Sequence, residues 1–600
     1  GNHATNLMNH LRLKHEDEYK KVVQINKLSV KITEKKNATE DEKDKKRKKL
    51  LDSCIKLIAV HGRPFELLDD EAFCDIKALI LPDFKNEGNS KKIKDMILDK
   101  SYEIKEKITT ELKQKMISVK LDSATCLDRQ FIGVNVQYIK KNKIVSRTLA
   151  LQEIFDRQTA ENLKLIIIDI LGDFGIPLRN IYSITTDNGS NYLKVTSLFN
   201  EEIRNENNDS EEETDDENNF NSGVDSFDAT VLNDTNEDTE SHPFQITSVR
   251  CAAHTLQLCV KDAINKNPET DSVIDISRRV VSILRRPLMK IRIRSQKLRK
   301  PVIDCNTRWA STYNMLRRLK ELKAICDDSE EICQILSENF WLEINKILEC
   351  LQPAAEATIR LQAEQLTLGD FYSIWIICKN KTENLDFPLA KDIVTSMIHR
   401  ENLLLQNNAF LAAIFIDPRW KITLSEQEIE IARNWIKDVH RQMCLIHQER
   451  EKNSPEIQES SSVLNQASTS RDPISVQHSV PGNNFQTDLQ SLESILDETQ
   501  RVRHRSTDFV RMNFDYFLAE YATTPRLAIT EDVIVYWTQK LPNELAEVAL
   551  VVLAAPATQV TVERLFSTLK FILTPSRNRL LDQTIKSIIL IKCNEDMFDD

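Results

Sequence analysis

The segment Ile181-Tyr182-Ser183-Ile184-Thr185-Thr186-Asp187-Asn188-Gly189-Ser190-Asn191 constrains the chain more than any other stretch. Its β-branched run predicts a buried strand, and that strand delivers Asp187 directly into the turn-forming pair Asn188-Gly189. An acid at the mouth of a buried strand can hold a metal ion, although Asp-Asn-Gly is also an ordinary turn. The choice between these readings rests on what else converges there.

A second acid precedes it. Ile117, Val119 and Leu121 alternate with Ser118, Lys120 and Asp122, so a strand beginning near Met116 turns Asp122 away from its apolar face. Two further strand patterns, Phe131 to Ile139 and Ile144 to Leu151, follow across short polar connections and predict a meander. An amphipathic helix from Thr159 to Phe174 then buries Leu163, Ile166, Ile167, Ile170 and Phe174 along one stripe. Three strands, a helix and a strand carrying a second Asp is the order of an RNase H-like fold, which places Asp122 and Asp187 on adjacent central strands.

Composition narrows the class. With 600 residues and 41% apolar content, the chain is long enough for three or four domains. No run of eighteen apolar residues predicts a membrane span, and no secretory signal is expected. Twelve scattered cysteines without a CxxC fit reduced thiols, and ten glycines leave no Gly-rich phosphate cradle. The net charge of −11 argues against nucleic acid only superficially. Residues 201–240 hold sixteen acids and one Arg, and the rest of the chain carries +4. That stretch reads as a disordered acidic insert, and about 448 to 483, rich in Ser and Pro, reads as a linker.

Other candidates lie along the chain. His10 and His15 have the spacing of one ligand pair of a zinc finger, or are two exposed histidines on a frayed helix; the remaining ligands are expected upstream of Gly1. Lys45-Lys46-Arg47-Lys48-Lys49 suits either a solvated helix face or a nuclear import signal. Cys251 and His254, at i and i+3, share a helix face and form half a metal site, or serve packing. Residues 278–300 contain ten Lys or Arg and no acid, including Arg278, Arg279, Arg285, Arg286, Arg292 and Arg294, a density that predicts phosphate contact. A predicted strand, Pro301 to Cys305, leads to Arg308 and Trp309. That Trp is either core or a stacking platform for an unpaired base, with Arg308 on phosphate. Near the end, Val562, Leu565, Phe566 and Leu569 bury one helix face and turn Glu563 to the other, and the apolar helix Ile585 to Ile591 needs the core or a second subunit to cover it.

Taken together, Leu121-Asp122-Ser123-Ala124-Thr125, Thr186-Asp187-Asn188-Gly189-Ser190-Asn191, Cys251-x-x-His254, Arg308-Trp309, Asp417-Pro418-Arg419 and Glu563-Arg564-Leu565-Phe566-Ser567 resemble the motifs, in order, of DNA transposases of the hAT superfamily. The N-terminal stretch looks like the end of a BED-type zinc finger. Ser123-Ala124 departs from the Gly-Trp often found after the family's first Asp.

The resemblance implies an α/β fold: an RNase H-like mixed sheet interrupted by a large all-α insertion, with a C-terminal helical dimerisation region. The expected layout is a BED remnant (1–20), a charged linker (21–50), a helical DNA-binding module (51–115) and the first part of the core (116–200). The acidic insert (201–245), second core part (246–311), helical insertion (312–447), linker (448–505) and core completion with dimerisation region (506–600) follow. It also implies a catalytic set of Asp122, Asp187 and Glu563 on Mg²⁺ or Mn²⁺, and Zn²⁺ in a complete finger. The implied partner is double-stranded DNA at element terminal repeats, handled in the nucleus by a homodimer or larger assembly. Such proteins excise the element with hairpins on the flanking DNA, Trp309 supporting a flipped base, and join it to a target. The alternative is a catalytically silent, DNA-binding dimeric regulator derived from such an enzyme.

Overall fold

The alternation from Ile117 to Leu121 builds the central strand. In the computed structural model, which describes residues 8–10, 12–81, 88–187, 189–208, 244–305, 309–453, 507–574 and 580–599, strands β1 (Ile117–Cys126), β2 (Arg129–Lys140) and β3 (Lys143–Ile154) form the expected antiparallel meander. Both hairpin turns, Leu127-Asp128 and Lys141-Asn142, place their two residues at positive φ, the twist that joins adjacent strands tightly. Helices α1 (Glu16–Ala59), α2 (Glu71–Ile80) and α3 (Ser90–Leu112) precede the sheet. Helix α4 (Ala160–Asp173) follows it, started by Thr159, whose hydroxyl accepts the Asn162 N–H. Strand β4 (Ile181–Thr186) then runs parallel to β1, and after α5 (Ser190–Asn208) a short β5 (Thr247–Arg250) runs parallel to β4. The sheet order is β3-β2-β1-β4-β5.

Three expectations change. The acidic insert does not begin at 201, because α5 continues to Asn208; the remainder to 243 lies outside the described residues. Pro301 to Asp304 is not a strand. Asp304 there turns to Arg278 and Thr312, whose Nη2 and Oγ1 reach its Oδ2 at 2.8 Å each, and these bonds replace ladder pairing. Nor do residues 51–115 stand apart. Ile55 and Ile58 of α1 and Ile93, Ile97, Ile104 and Ile108 of α3 belong to the same core as the sheet.

The helical insertion is built from α6 (Ala252–Lys266), α7 (Pro268–Leu284), α8 (Pro287–Ser295), α9 (Trp309–Glu321), α10 (Lys323–Asp327), α11 (Glu330–Cys333), α12 (Phe340–Arg360), α13 (Leu368–Glu383), α14 (Pro388–Leu405), α15 (Asn408–Ile416) and α16 (Glu426–Asn453). Most of the linker after it is outside the described residues. The C-terminal stretch divides between two cores. Helices α17 (Thr507–Thr523), α18 (Val533–Thr538) and α19 (Glu544–Leu553) complete the insertion's core, whereas α20 (Val560–Ile572) and α21 (Asp582–Cys593) join the sheet's. Ile585, Ile588, Ile589 and Ile591 of α21 are buried within this chain, and Ser101 on α3 donates to Ser587 at 3.0 Å, so the core itself covers that apolar helix.

Asp417-Pro418-Arg419 forms a clamp inside the insertion. The fully buried Asp417 receives Arg419 Nη2 at 2.6 Å and Nε at 2.9 Å, while Arg419 Nη2 also reaches Asp370 Oδ1 at 2.8 Å. A Cβ at Gly369 would lie 2.1 Å from Asp417 Oδ2, so that position needs glycine for close approach. Breaking a buried pair strands a charge, so Arg419→Met is expected to cost about 3–5 kcal/mol in denaturant unfolding. Gly369→Ala is expected to destabilise as well, and an unchanged unfolding midpoint in both would refute the clamp.

Candidate active site

Strand periodicity assigns the acids to a face. Ser118, Lys120 and Asp122 of β1 pair with Gln137, Asn135 and Gly133 of β2, and in β1 and β4 Lys120 pairs with Thr185. Two residues further along come Asp122, midway along β1, and Asp187, just past the end of β4, so strand periodicity directs both carboxylates to this face. The face is polar yet buried. Ser183 donates to Ser118 at 2.9 Å, Gln137 to the Ala554 carbonyl at 2.8 Å, and Thr185 to the Pro556 carbonyl at 2.8 Å.

Helix α20 docks on it. A Cβ at Gly133, directly across from Asp122, would lie 2.7 Å from Val562 and 2.9 Å from Leu565, so the missing side chain is what lets the helix lie over the acid's neighbour. Lys120 Nζ donates to Thr561 Oγ1 at 2.9 Å and Gln559 Nε2 donates to the Leu121 carbonyl, fixing the start of the helix on β1. Lys120 is 3% exposed, and burial pushes its ammonium down to about 7. Glu563, exposed beside the buried Val562, acts on His254, as Asp187 does.

Electrostatics tie the three acids together. The Tyr192 phenol is raised by burial first and also by the carboxylates of both Asp122 and Asp187, against the pull of Ser123. The His254 imidazole is lowered by burial foremost; Asp187 and Glu563 pull it up, while Lys261 and Arg400 push it down. Asp122 Oδ1 accepts the Ser123 N–H at 2.8 Å, and Asp187 Oδ1 accepts the Gly189 N–H at 2.9 Å. Even so, among the described residues no three His, Cys, Asp or Glu side chains stand close enough to grip one ion. The acids are neighbours on a face rather than a closed cage, as carboxylates without a counter-ion repel one another.

The other candidates separate. Cys251 is buried with its thiol pushed up to about 11 by burial, and it faces no third ligand among the described residues; its backbone N–H donates to the Thr186 carbonyl at 3.0 Å, locking α6 to β4. Packing is the role this geometry assigns it. Trp309 is 4% exposed within the insertion's core and, as placed, presents no face to a base; Arg308 lies outside the described residues. Arg278 is occupied by Asp304 and Asp275, Arg286 by Glu331 at 2.8 Å, and Arg292 by Asp328 at 2.8 Å, whereas Arg279, Arg285 and Arg294 are exposed. The His10 and His15 rings lie 5.6 Å apart, centre to centre. Sequence reading missed Gly133, Lys120, Gln559, Thr561 and Tyr192; only Lys120 carried a signal, since period two places it on the face of Asp122.

A sheet ordered 3-2-1-4-5, with one acid midway along its first strand, a second just past its fourth and a third on a late helix, defines a protein with an RNase H-like core. Comparison with known proteins agrees. Residues 80–196 match the family described as ZMYM1/FAM200, RNase-like domain; residues 249–350 match the ZBED1 RNase-like helical domain; and residues 516–594 match the hAT family C-terminal dimerisation region. The chain is 24% identical to a maize protein named Putative AC transposase over 89% of this chain and 64% of that one. Similarity to Putative AC9 transposase of maize is 23% with the same coverage, and to human Zinc finger BED domain-containing protein 4 it is 21% over 58% of this chain and 29% of that protein. The chain thus spans less than two thirds of the length of these relatives. These matches support a hAT transposase or a protein derived from one. No helix among the described residues is long and apolar enough to cross a membrane.

If Gly133 is what seats α20, then Gly133→Val is expected to displace Val562 and Leu565, lower the melting temperature by several degrees and loosen the helix. Hydrogen exchange at residues 560–572 as slow as in the parent would count against it.

Proposed function

We propose that this chain is a metal-dependent DNA transposase that cuts and rejoins phosphodiesters at the ends of a mobile element, with Asp122, Asp187 and Glu563 as ligands for Mg²⁺ or Mn²⁺. The observation that carries the reading is that strand periodicity turns Asp122 and Asp187 to one sheet face and that α20, the helix bearing Glu563, docks against that face. The donor set fits such ions: all oxygen and all anionic, the chemistry hard divalent cations prefer. Tyr192 Oη is buried beside the two aspartates, with Ser123 as its polar neighbour. Bound there, a metal pair would lower the pKa of an attacking hydroxyl and stabilise the leaving oxygen.

The chain's own residues supply the rest. β1 and β4 hold Asp122 and Asp187 in register, the N–H groups of Ser123 and Gly189 orient them, and α20 presents Glu563. Burial keeps His254 largely neutral near pH 7, so it is suited to accept or donate a proton or hydrogen bond at the edge of the carboxylates. Double-stranded DNA is the proposed substrate, reached through exposed Arg279, Arg285 and Arg294. The surface pairs of Arg286 and Arg292 are weak enough to exchange a carboxylate for a phosphate. Nuclear residence and Zn²⁺ held by His10 and His15 in a complete finger are parts of the same proposal, and the matched dimerisation region supports a homodimer.

The open spacing of the carboxylates favours a second reading, a silent DNA-binding regulator. A strand-cleavage assay with Mg²⁺ or Mn²⁺ on DNA carrying the element ends separates them. In a transposase, Asp187→Ala is expected to reduce cleavage at least about a hundredfold while leaving DNA binding intact, because carboxylates that act as a unit fail together. A parent chain that binds DNA but never cuts it, with either ion, would establish the regulator instead.

A further inference from the structure

Helix α8 carries an apolar pair that the insertion's core does not cover. Ile293 is 1% exposed and Met289 packs against that core, and these two residues fix which side of the helix faces inward. Leu288 and Ile291, three positions apart and therefore neighbours on the helix surface, lie on the other side and are 81% and 66% exposed. The helix is also held at its flank. Arg292 Nη2 donates to Asp328 at 2.8 Å, and Arg286 Nη1, just before the helix, donates to Glu331 at 2.8 Å. The apolar pair is thus presented by a packed helix.

Its surroundings are cationic. Arg285 at the corner between α7 and α8, Lys290 within α8 and Arg294 three residues after Ile291 are all exposed and make no ion pair among the described residues. Arg279 before them and Lys297, Arg299 and Lys300 after them extend the same sign of charge. A single exposed leucine is ordinary. Two on one helix turn, ringed by uncommitted cations, suit a partner that shields apolar surface and supplies anions on both flanks. Duplex DNA does this: stacked bases lie between two lines of phosphates, and Leu or Ile side chains can enter between base steps. The separation also suits it, since three residues rise about 4.5 Å along a helix, against about 3.4 Å for one base step.

We propose that Leu288 and Ile291 form an apolar wedge that α8 sets between base steps of duplex DNA from the minor groove, kinking the duplex while Arg285, Lys290 and Arg294 hold phosphates on either side. The inference rests on the DNA-binding reading above, to which it adds a mode of binding and a deformation of the substrate. It requires no cleavage.

The experiment uses the full chain without divalent ions and a mixed-sequence duplex carrying a donor and an acceptor dye at its two ends, titrated across a salt series. The parent is expected to bring the ends together, as a kink of roughly 20–90° does. Leu288→Ser combined with Ile291→Ser is expected to bind roughly fivefold to tenfold more weakly and to lose the kink. Its slope of log affinity against log salt stays unchanged, because no phosphate contact is lost. Arg285→Gln gives the converse, a slope smaller by about 0.9 with the kink retained. Both apolar residues are exposed, so the double variant is expected to melt like the parent, and Leu288→Met with Ile291→Met is expected to keep the kink. A double variant that binds and bends DNA as the parent does, or a parent that binds without bending, overturns the wedge and leaves the DNA-binding reading standing. Capture of a poly-glutamate peptide that the double variant loses, with DNA bending intact, would assign the surface to an acidic protein and overturn it too. A parent that binds no duplex at any salt overturns the wedge together with DNA binding.

Discussion

The seating of α20 on the polar face of β1 and β2 is the contact on which the site depends. Lys120 and Thr561 are 441 positions apart in sequence, yet their side chains meet at 2.9 Å. An apolar helix face alone could slide along a sheet. Here the face offers Ser118, Lys120, Gln137 and Thr185, all buried, and each must find a specific acceptor or donor. The strap from Ala554 to Thr561 supplies carbonyls and a hydroxyl at fixed spacing, so one register satisfies them and a slipped one strands them. Gly133 then sets the depth. With no side chain across from Asp122, Val562 and Leu565 come down onto the strand, which leaves Glu563, next in sequence, exposed beside them.

Dividing the C-terminal stretch between two cores follows from the same contact. Residues 514–557 close the insertion and residues 562–598 close the sheet, so the strap between them is also the joint between the two bodies. Arg564 strengthens it by donating to Glu364 and, at 3.3 Å, to the Gln362 carbonyl, both just past α12. The Ala252 N–H reaches the Ala557 carbonyl at 2.8 Å, which ties α6, and with it His254, to the same strap.

Much of this was legible in the amino-acid order. The meander, α4 and β4 announced themselves through alternation and a helical stripe, because each buries one face against the core. Asp122, Asp187 and Glu563 were legible as strand and helix-face acids; pairing of β1 with β2 and β4 puts the two aspartates on one sheet face, and the helix of Glu563 docks against it. What stayed hidden depends on distant partners. β5 has four residues, too few for a periodic signal, and gains its place from β4 alone. Pro301 to Cys305 carries a strand's composition, but Asp304 is claimed by Arg278. Trp309 reads equally as platform or core, and packing decides for core. The basic run 278–300 has no acid within it, but Glu331, Asp328 and Asp304 come to it from other segments, which a local charge count does not reveal.

Those pairings sort the cations by what they can do. Arg278 holds a carboxylate that is 1% exposed, and releasing it would leave that charge stranded, so it is fixed in place. The Arg286 and Arg292 pairs are solvent-exposed and cost little to open. Arg250 is a third kind, withdrawn from water and opposed by Arg400 rather than neutralised. An acidic edge repels a phosphodiester, and a chain with net charge −11 does little to attract one at long range. Under the DNA-binding proposal, a strand would be met first by the exposed Arg279, Arg285 and Arg294 and by Arg286 and Arg292, whose surface pairs cost little to open.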